Sequence, residues 1–202
     1  MITDSVPWKD QLLKDADLIE RWSMKPQATE RRSILIEKKV FLSAYAMRKL
    51  FEAEKLSSDL DGHSVKAERF DLFPDLKLTW WKTHRAEEVF DLSMPKARTV
   101  AARDLLDTII HSKIFSECVY DEDDLRVSGF FVTSDKRDAH IWLVPIDSFT
   151  SLMRLIGNDY PSNVTTVFDD DGTHYSWRGH GEPPVQVTKK METIIGNRLK
   201  RS

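Results

Sequence analysis

The chain has 202 residues, with 30 lysines and arginines against 33 aspartates and glutamates, giving a formal net charge of −3. Its one cysteine, Cys118, excludes an internal disulfide and a multi-cysteine zinc site, and no stretch reaches the roughly 18 apolar residues that would cross a bilayer. The near-neutral balance argues against a broad electrostatic footprint on nucleic acid.

The opening residues, MITDSVPWKDQ, have neither the basic stretch nor the apolar run of a secretory signal, so a reducing, cytoplasmic setting is expected. Trp8, Leu12, Ala16 and Ile19 recur at helical spacing, with Asp4 or Ser5 as cap and Pro7 near the first turn. Pro26 interrupts this helix. The residues from 29 to about 56 hold no glycine or proline. They carry Ile34, Leu35, Val40, Phe41, Ala44, Tyr45, Met47, Leu50 and Phe51, which cover more than one narrow stripe and predict a long helix packed on two sides.

The residues 59–62 break the pattern. Short strands are expected over 65–70 and 76–81, separated by Pro74, and 84–92 reads ambiguously. A second strong helix is expected over 94–112, with Ser93 as cap and Pro95 in its first turn. The period then changes from about 3.6 to 2. Three strands are expected over 113–120, 126–134 and 139–145, joined by the polar turns DEDD and DKRD as an antiparallel meander. A short helix over 147–156 closes at Gly157-Asn158. A hairpin over 164–168 and 173–177 turns at Asp169-Asp170-Asp171-Gly172, and a last helix covers 185–200. Helices first, then strands, then a helix make an α+β class. The expected architecture is an N-terminal helical bundle over 1–112, packed with an antiparallel sheet (meander plus hairpin) and a C-terminal helix over 113–202. The two halves share one core in a single α+β domain over 1–202, because no flexible linker separates them.

The segment RDLLDTIIHS, 103–112, is the most suggestive in chemistry. At 100° per residue Arg103, Asp107 and His111 line up along one face of a helix. Asp107 could bond Arg103 behind it and orient His111 ahead of it. An arginine holding a phosphate beside a carboxylate-oriented imidazole suits acid–base work on a phosphodiester. Ordinary pairing along a helix face is the structural alternative.

The long helix ERRSILIEKKVFLSAYAMRKLFEAEKLS and the later RDLLDTIIHS together resemble HEPN-like helical proteins of bacteria, many of which belong to toxin–antitoxin or phage-defence systems. The resemblance implies a metal-independent ribonuclease whose Arg…His motif lies on a helix and meets its mate across a dimer interface. Asp104 follows Arg103 as a polar residue does in that motif. Seven residues stand between Arg103 and His111, a longer gap than the family's usual one.

The remaining groups point elsewhere. His174 and His180 lie near Asp169 to Asp171, but an Asp-Gly turn explains those carboxylates. His140 shares a strand face with Trp142, and His63 and His84 have no partner at metal-ligand spacing. Cys118 in a strand reads as a small buried hydrophobe, the tryptophans as packing, and the basic end of the last helix as complementing the helix dipole. No Walker loop, GxGxxG or GxSxG motif is present. No cofactor and no metal are expected. The sequence therefore reads as a non-catalytic interaction or regulatory protein, a homodimer or the partner of another protein. The alternative is a HEPN-like ribonuclease or RNA-binding protein, with Arg103 holding phosphate, His111 moving the proton and Asp107 orienting it.

Overall fold

A computed structural model describes residues 2–83, 85–121, 123–134, 139–168 and 173–201, with the side chains of Trp80 and 197–201 left aside. The turns expected at 135–138 and 169–172, and His84, lie outside the described residues.

The first helix, α1 (Val6–Ser23), buries Leu12, Ala16 and Ile19 and turns Trp8 partly outward. Asp4 Oδ1 accepts the Val6 N–H at 2.9 Å, satisfying one of the donors a helix start leaves open. In α2 (Glu30–Glu52), Thr29 Oγ1 accepts the Arg32 N–H at 3.2 Å as the N-cap. Ile36, Val40, Ala44, Met47 and Leu50 fall at steps of three and four and are buried against α1 and the later helix α3 (Ala102–Ile110). Ile34, Leu42 and Tyr45 point away from this stripe and stay exposed. Phe41, off this stripe, meets the Phe115 ring at 5.1 Å, so α2 is packed on more than one side, while the side with Ile34, Leu42 and Tyr45 is left uncovered among the described residues.

The sheet draws on both halves. Its order is β2-β1-β5-β4-β3, antiparallel throughout. The strands are β1 (Ser64–Asp71), β2 (Lys96–Ala101), β3 (Ser112–Val119), β4 (Val127–Ser134) and β5 (His140–Pro145). The expected meander is β3-β4-β5, and β1 and β2 extend it. The helix expected over 94–112 is corrected to a strand and a nine-residue helix. Residues 96–101 include the β-branched Thr99 and Val100, and they pair with β1 from Lys96 opposite Arg69 to Ala101 opposite Ser64. A partner strand outweighs a weak helical periodicity here. The strand expected over 76–81 is also replaced. Asp75 takes a positive φ of 65° after Pro74, and the chain continues into a 3-10 turn at Trp80–Lys82.

One face of the sheet meets the helices. Val65, Val100, Phe130, Val132 and Val144 join the buried residues of α1, α2, α3 and α4 (Ile146–Gly157) in one apolar core. Aromatic rings run through it, Phe41 to Phe115 at 5.1 Å, Phe115 to Phe130 at 5.1 Å and Phe130 to Phe149 at 5.5 Å. On the opposite face Phe70, Ile114 and Ile141 pack with Leu78, Val89 and Phe90 from the connection between β1 and β2. The hairpin β6 (Asn163–Phe168) and β7 (His174–Gly179) forms its own two-stranded sheet, followed by α5 (Val185–Arg201). The class is α+β with a C-terminal helix. No helix among the described residues is long and apolar enough to cross a membrane.

Candidate functional site

The three residues aligned by the sequence are placed around α3, but each has a different partner. The Ala102 N–H that starts the helix donates to the His63 carbonyl at 2.8 Å. Arg103 Nη2 donates to Asp61 Oδ1, and its guanidinium carbon stands 4.9 Å from the centre of the Phe51 ring. Asp107 Oδ1 lies 3.3 Å from Arg48 Nε, which also donates to Glu52 Oε1 at 3.0 Å. His111 is the residue at which the helix ends. Its backbone, at φ −105° and ψ 28°, leaves the helical path, its N–H donates to the Asp107 carbonyl at 3.0 Å, and its side chain is exposed. The expected ladder from Arg103 through Asp107 to His111 is thus replaced by separate pairs with Asp61 and Arg48. The packing of α2 beside α3 brings Arg48 within reach, a contact that spacing along one helix cannot reveal.

Asp61 also belongs to a charge network that sequence reasoning missed. Its Oδ2 accepts from Arg178 Nη2 at 3.0 Å, while Arg178 Nη1 lies 3.6 Å from Glu54 Oε2. Glu54 Oε1 lies 3.3 Å from His174 Nε2. The Arg178 side chain is only 6% exposed, and the backbone N–H of Arg178 donates to Ser58 Oγ at 3.0 Å. These bonds fasten β7 to the 3-10 turn Ser58–Gly62 and to the end of α2. Nothing in the local sequence around Glu54, Asp61 or Arg178 announces the arrangement, because its members are up to 124 residues apart (178 − 54 = 124).

A groove of about 600 Å³ runs between α1 and α2, its apolar wall made by Trp8, Leu12, Leu42 and Tyr45. Its polar end holds the buried Asp15, which accepts from Lys39 Nζ at 2.6 Å and Gln11 Nε2 at 2.7 Å. Ser43, 1% exposed, also lines the groove, and its Oγ has no hydrogen-bond partner. Past Trp8 and Tyr45 the surface continues into a second hollow of about 740 Å³, bounded by Ile2, Lys49, Glu52 and the Glu54–His174 pair. Lys49 Nζ, 2.6 Å from Glu52 Oε2, holds the Glu52 carboxyl below its ordinary range through that hydrogen bond.

The other residues weighed from the sequence take structural positions. The His140 ring meets Trp142 edge-on at 5.0 Å, and Trp177 is buried. Cys118 is half-buried, its thiol donating to the Val119 carbonyl at 3.6 Å. Lys190 Nζ sits 4.0 Å over the Tyr175 ring. Among the described residues no three metal-ligating side chains gather. Compared with known protein families, curated proteins and solved structures, the chain matches none.

Proposed function

We propose that the chain is a non-catalytic interaction protein that pairs with a second copy of itself through the outward side of α1 and α2. The observation that carries this reading is the exposure of Trp8 (38%), Leu42 (52%) and Tyr45 (48%) along one groove of two packed helices. Large apolar side chains grouped in this way mark an interaction surface rather than the scattered exposure normal for a monomer. Two helical hairpins laid face to face make a four-helix packing, a common way to bury such seams. The Asp15–Lys39 pair neutralises the polar end of the groove internally, so two copies meet without like charge at its centre.

The non-catalytic part rests on where Arg103 and Asp107 spend their charges, on Asp61 and Arg48 within the same chain. Neither group is left free to hold a phosphate or to orient His111. Sedimentation of the wild type and of Leu42→Asp and Tyr45→Asp tests the pairing. A dimer that both variants convert to a folded monomer is the expected result, and a wild type that stays monomeric as concentration rises refutes the pairing. Mixed RNA incubated in EDTA with wild type and His111→Ala tests the absence of catalysis. Intact RNA in both is expected, whereas cleavage lost only in the variant would restore the ribonuclease reading of Arg103, Asp107 and His111.

A further inference from the structure

The edges of the two sheets are not protected alike. At one end of the five-stranded sheet β2 carries Lys96 and Arg98, and charge on an edge strand discourages pairing with another chain. At the other end β3 is broken by register shifts between Ser112 and Ile114 and between Cys118 and Val119, and it carries Lys113 and Glu117. In the small sheet β7 is fastened to the 3-10 turn Ser58–Gly62, where the Arg178 backbone N–H donates to Ser58 Oγ. β6 has none of these devices. Its six residues, NVTTVF, include no charge and no proline, and they pair with β7 without a bulge, from Asn163 opposite Gly179 to Phe168 opposite His174. Its outer edge has no hydrogen-bond partner among the described residues.

The side chains beside that edge are open as well. Residues opposite one another share a face, so Thr165 and Val167 stand with Trp177 and Tyr175, and Lys190 of α5 sits over this face, 4.0 Å from the centre of the Tyr175 ring. Val164, Thr166 and Phe168 take the other face with Ser176 and His174. There Val164 is 64% and Phe168 55% exposed. Open ladder groups are matched by a backbone in the same extended form. Apolar side chains recurring on one face call for apolar side chains at alternate positions opposite them. Three aspartates, 169–171, follow Phe168 in the sequence, so charge complementarity calls for basic residues at the end of a strand lying beside Phe168. A second copy of β6 offers none, since residues 155–173 contain no lysine or arginine.

We infer that the free edge of β6 takes up, as a third strand, an extended segment of another protein, with apolar side chains at alternate positions and lysine or arginine at its N-terminal end. Antiparallel addition, the better-bonded pairing, sets that end beside Phe168. Such a partner rests on the reading of the chain as an interaction protein. β6 contributes no residue to the α1–α2 groove, so the helix seam and the strand edge fail separately when tested.

Titration of a fluorescent peptide, two lysines followed by alternating valine and threonine, with the full chain tests this by anisotropy, and amide exchange locates the peptide. The expected result is saturable binding with new protection confined to β6. A peptide methylated on all its backbone amide nitrogens, and one with glutamates in place of the lysines, should each bind at least about tenfold more weakly. The double variant Val164→Lys/Phe168→Lys, changed at exposed positions, should also lose at least about tenfold in affinity. The methylated peptide needs no variant, so that comparison stands even where the double variant fails to fold. No saturable binding, equal binding of the methylated or the glutamate peptide, protection outside β6, or a folded double variant that binds as the wild type does would each overturn the inference. Protection of β6 that rises with protein concentration in the absence of peptide would give the edge to a second copy and overturn it as well.

Discussion

Asp61 and Arg178 meet at 3.0 Å, and the second oxygen of the same carboxylate is taken by Arg103. One acid thus balances two guanidiniums, of which Arg178 is nearly buried and Arg103 half-exposed. Removing that acid leaves the Arg178 guanidinium, among the described residues, with only the longer contact to Glu54. A buried cation that loses its partner costs several kcal/mol, and the exposure of Asp61 reduces this. Asp61→Asn is therefore expected to lower stability by about 1–3 kcal/mol. Asp107→Asn, which breaks the half-exposed pair with Arg48, should cost under about 1 kcal/mol. Urea unfolding ranks the two. Amide exchange should show the Asp61 variant opening first in β6 and β7, and equal losses in the two variants would contradict the assignment.

A pH dependence follows from α4. Arg154 Nη2 lies 2.8 Å from Glu20 Oε2 and 2.8 Å from Asp17 Oδ1, and Nη1 also bonds Glu20. The hydrogen bond from Arg154 holds the Glu20 carboxyl below its ordinary value of 4.5. The folded state therefore binds fewer protons than the unfolded chain between the two values, and stability falls as pH falls through that interval. The contribution is present at neutral pH and gone below the folded value. Because the groups are over a third exposed, Arg154→Met should remove under about 1 kcal/mol at pH 7. It should also flatten the acid limb of the stability curve, and an acid limb as steep as that of the wild type would remove Glu20 from the account.

Lys9 gives a slope of the same sign at the alkaline end, from burial rather than from an ion pair. It is 1% exposed, donates to the Lys55 carbonyl at 2.9 Å and to that of Asp159, and lies 4.5 Å from the Tyr160 ring centre. Burial lowers the Lys9 ammonium below its ordinary 10.5, partly opposed by Asp159. Between the folded value and 10.5 the unfolded chain holds the extra proton, so this group's contribution to stability rises with pH there. Unfolding free energies across the alkaline range, compared between wild type and Lys9→Met, should differ by a gap that shifts in favour of the wild type as pH rises. A gap that stays constant with pH would mean that burial does not perturb Lys9.

Two glycines in helices behave differently. At Gly157 an added Cβ would stand 2.7 Å from Leu13 Cδ2 and 3.3 Å from the Lys9 carbonyl, where α4 crosses α1. Gly157→Ala is expected to destabilise by about 1–2 kcal/mol through overpacking. At Gly196 in α5 nothing lies within 4 Å of an added Cβ. Gly196→Ala should raise stability by about 0.5–1 kcal/mol, because the gain in helix propensity meets no clash. Thermal unfolding of the two variants in parallel separates the effects.

What the sequence determined by itself was local. The spacing of Leu12, Ala16 and Ile19, the run from 29 to 56 without glycine or proline, and the change of period after 112 placed α1, α2, β1, β3 to β5, α4, β6, β7 and α5, because burying one face imposes a period that the residues must carry. Tertiary structure decided the rest. Residues 96–101 became a strand because β1 offers a ladder to pair with, and no residue among them specifies that partner. The same holds for the site. The spacing of Arg103, Asp107 and His111 allowed a ladder of bonds along one helix, but a carboxylate binds the cation that packing brings nearest. Here that is Arg48 from α2, while Asp61 draws Arg103 aside and His111 stands where the helix has already ended. The identity of a residue fixes what it can bond, and the fold alone fixes which groups come within 3 to 4 Å of it.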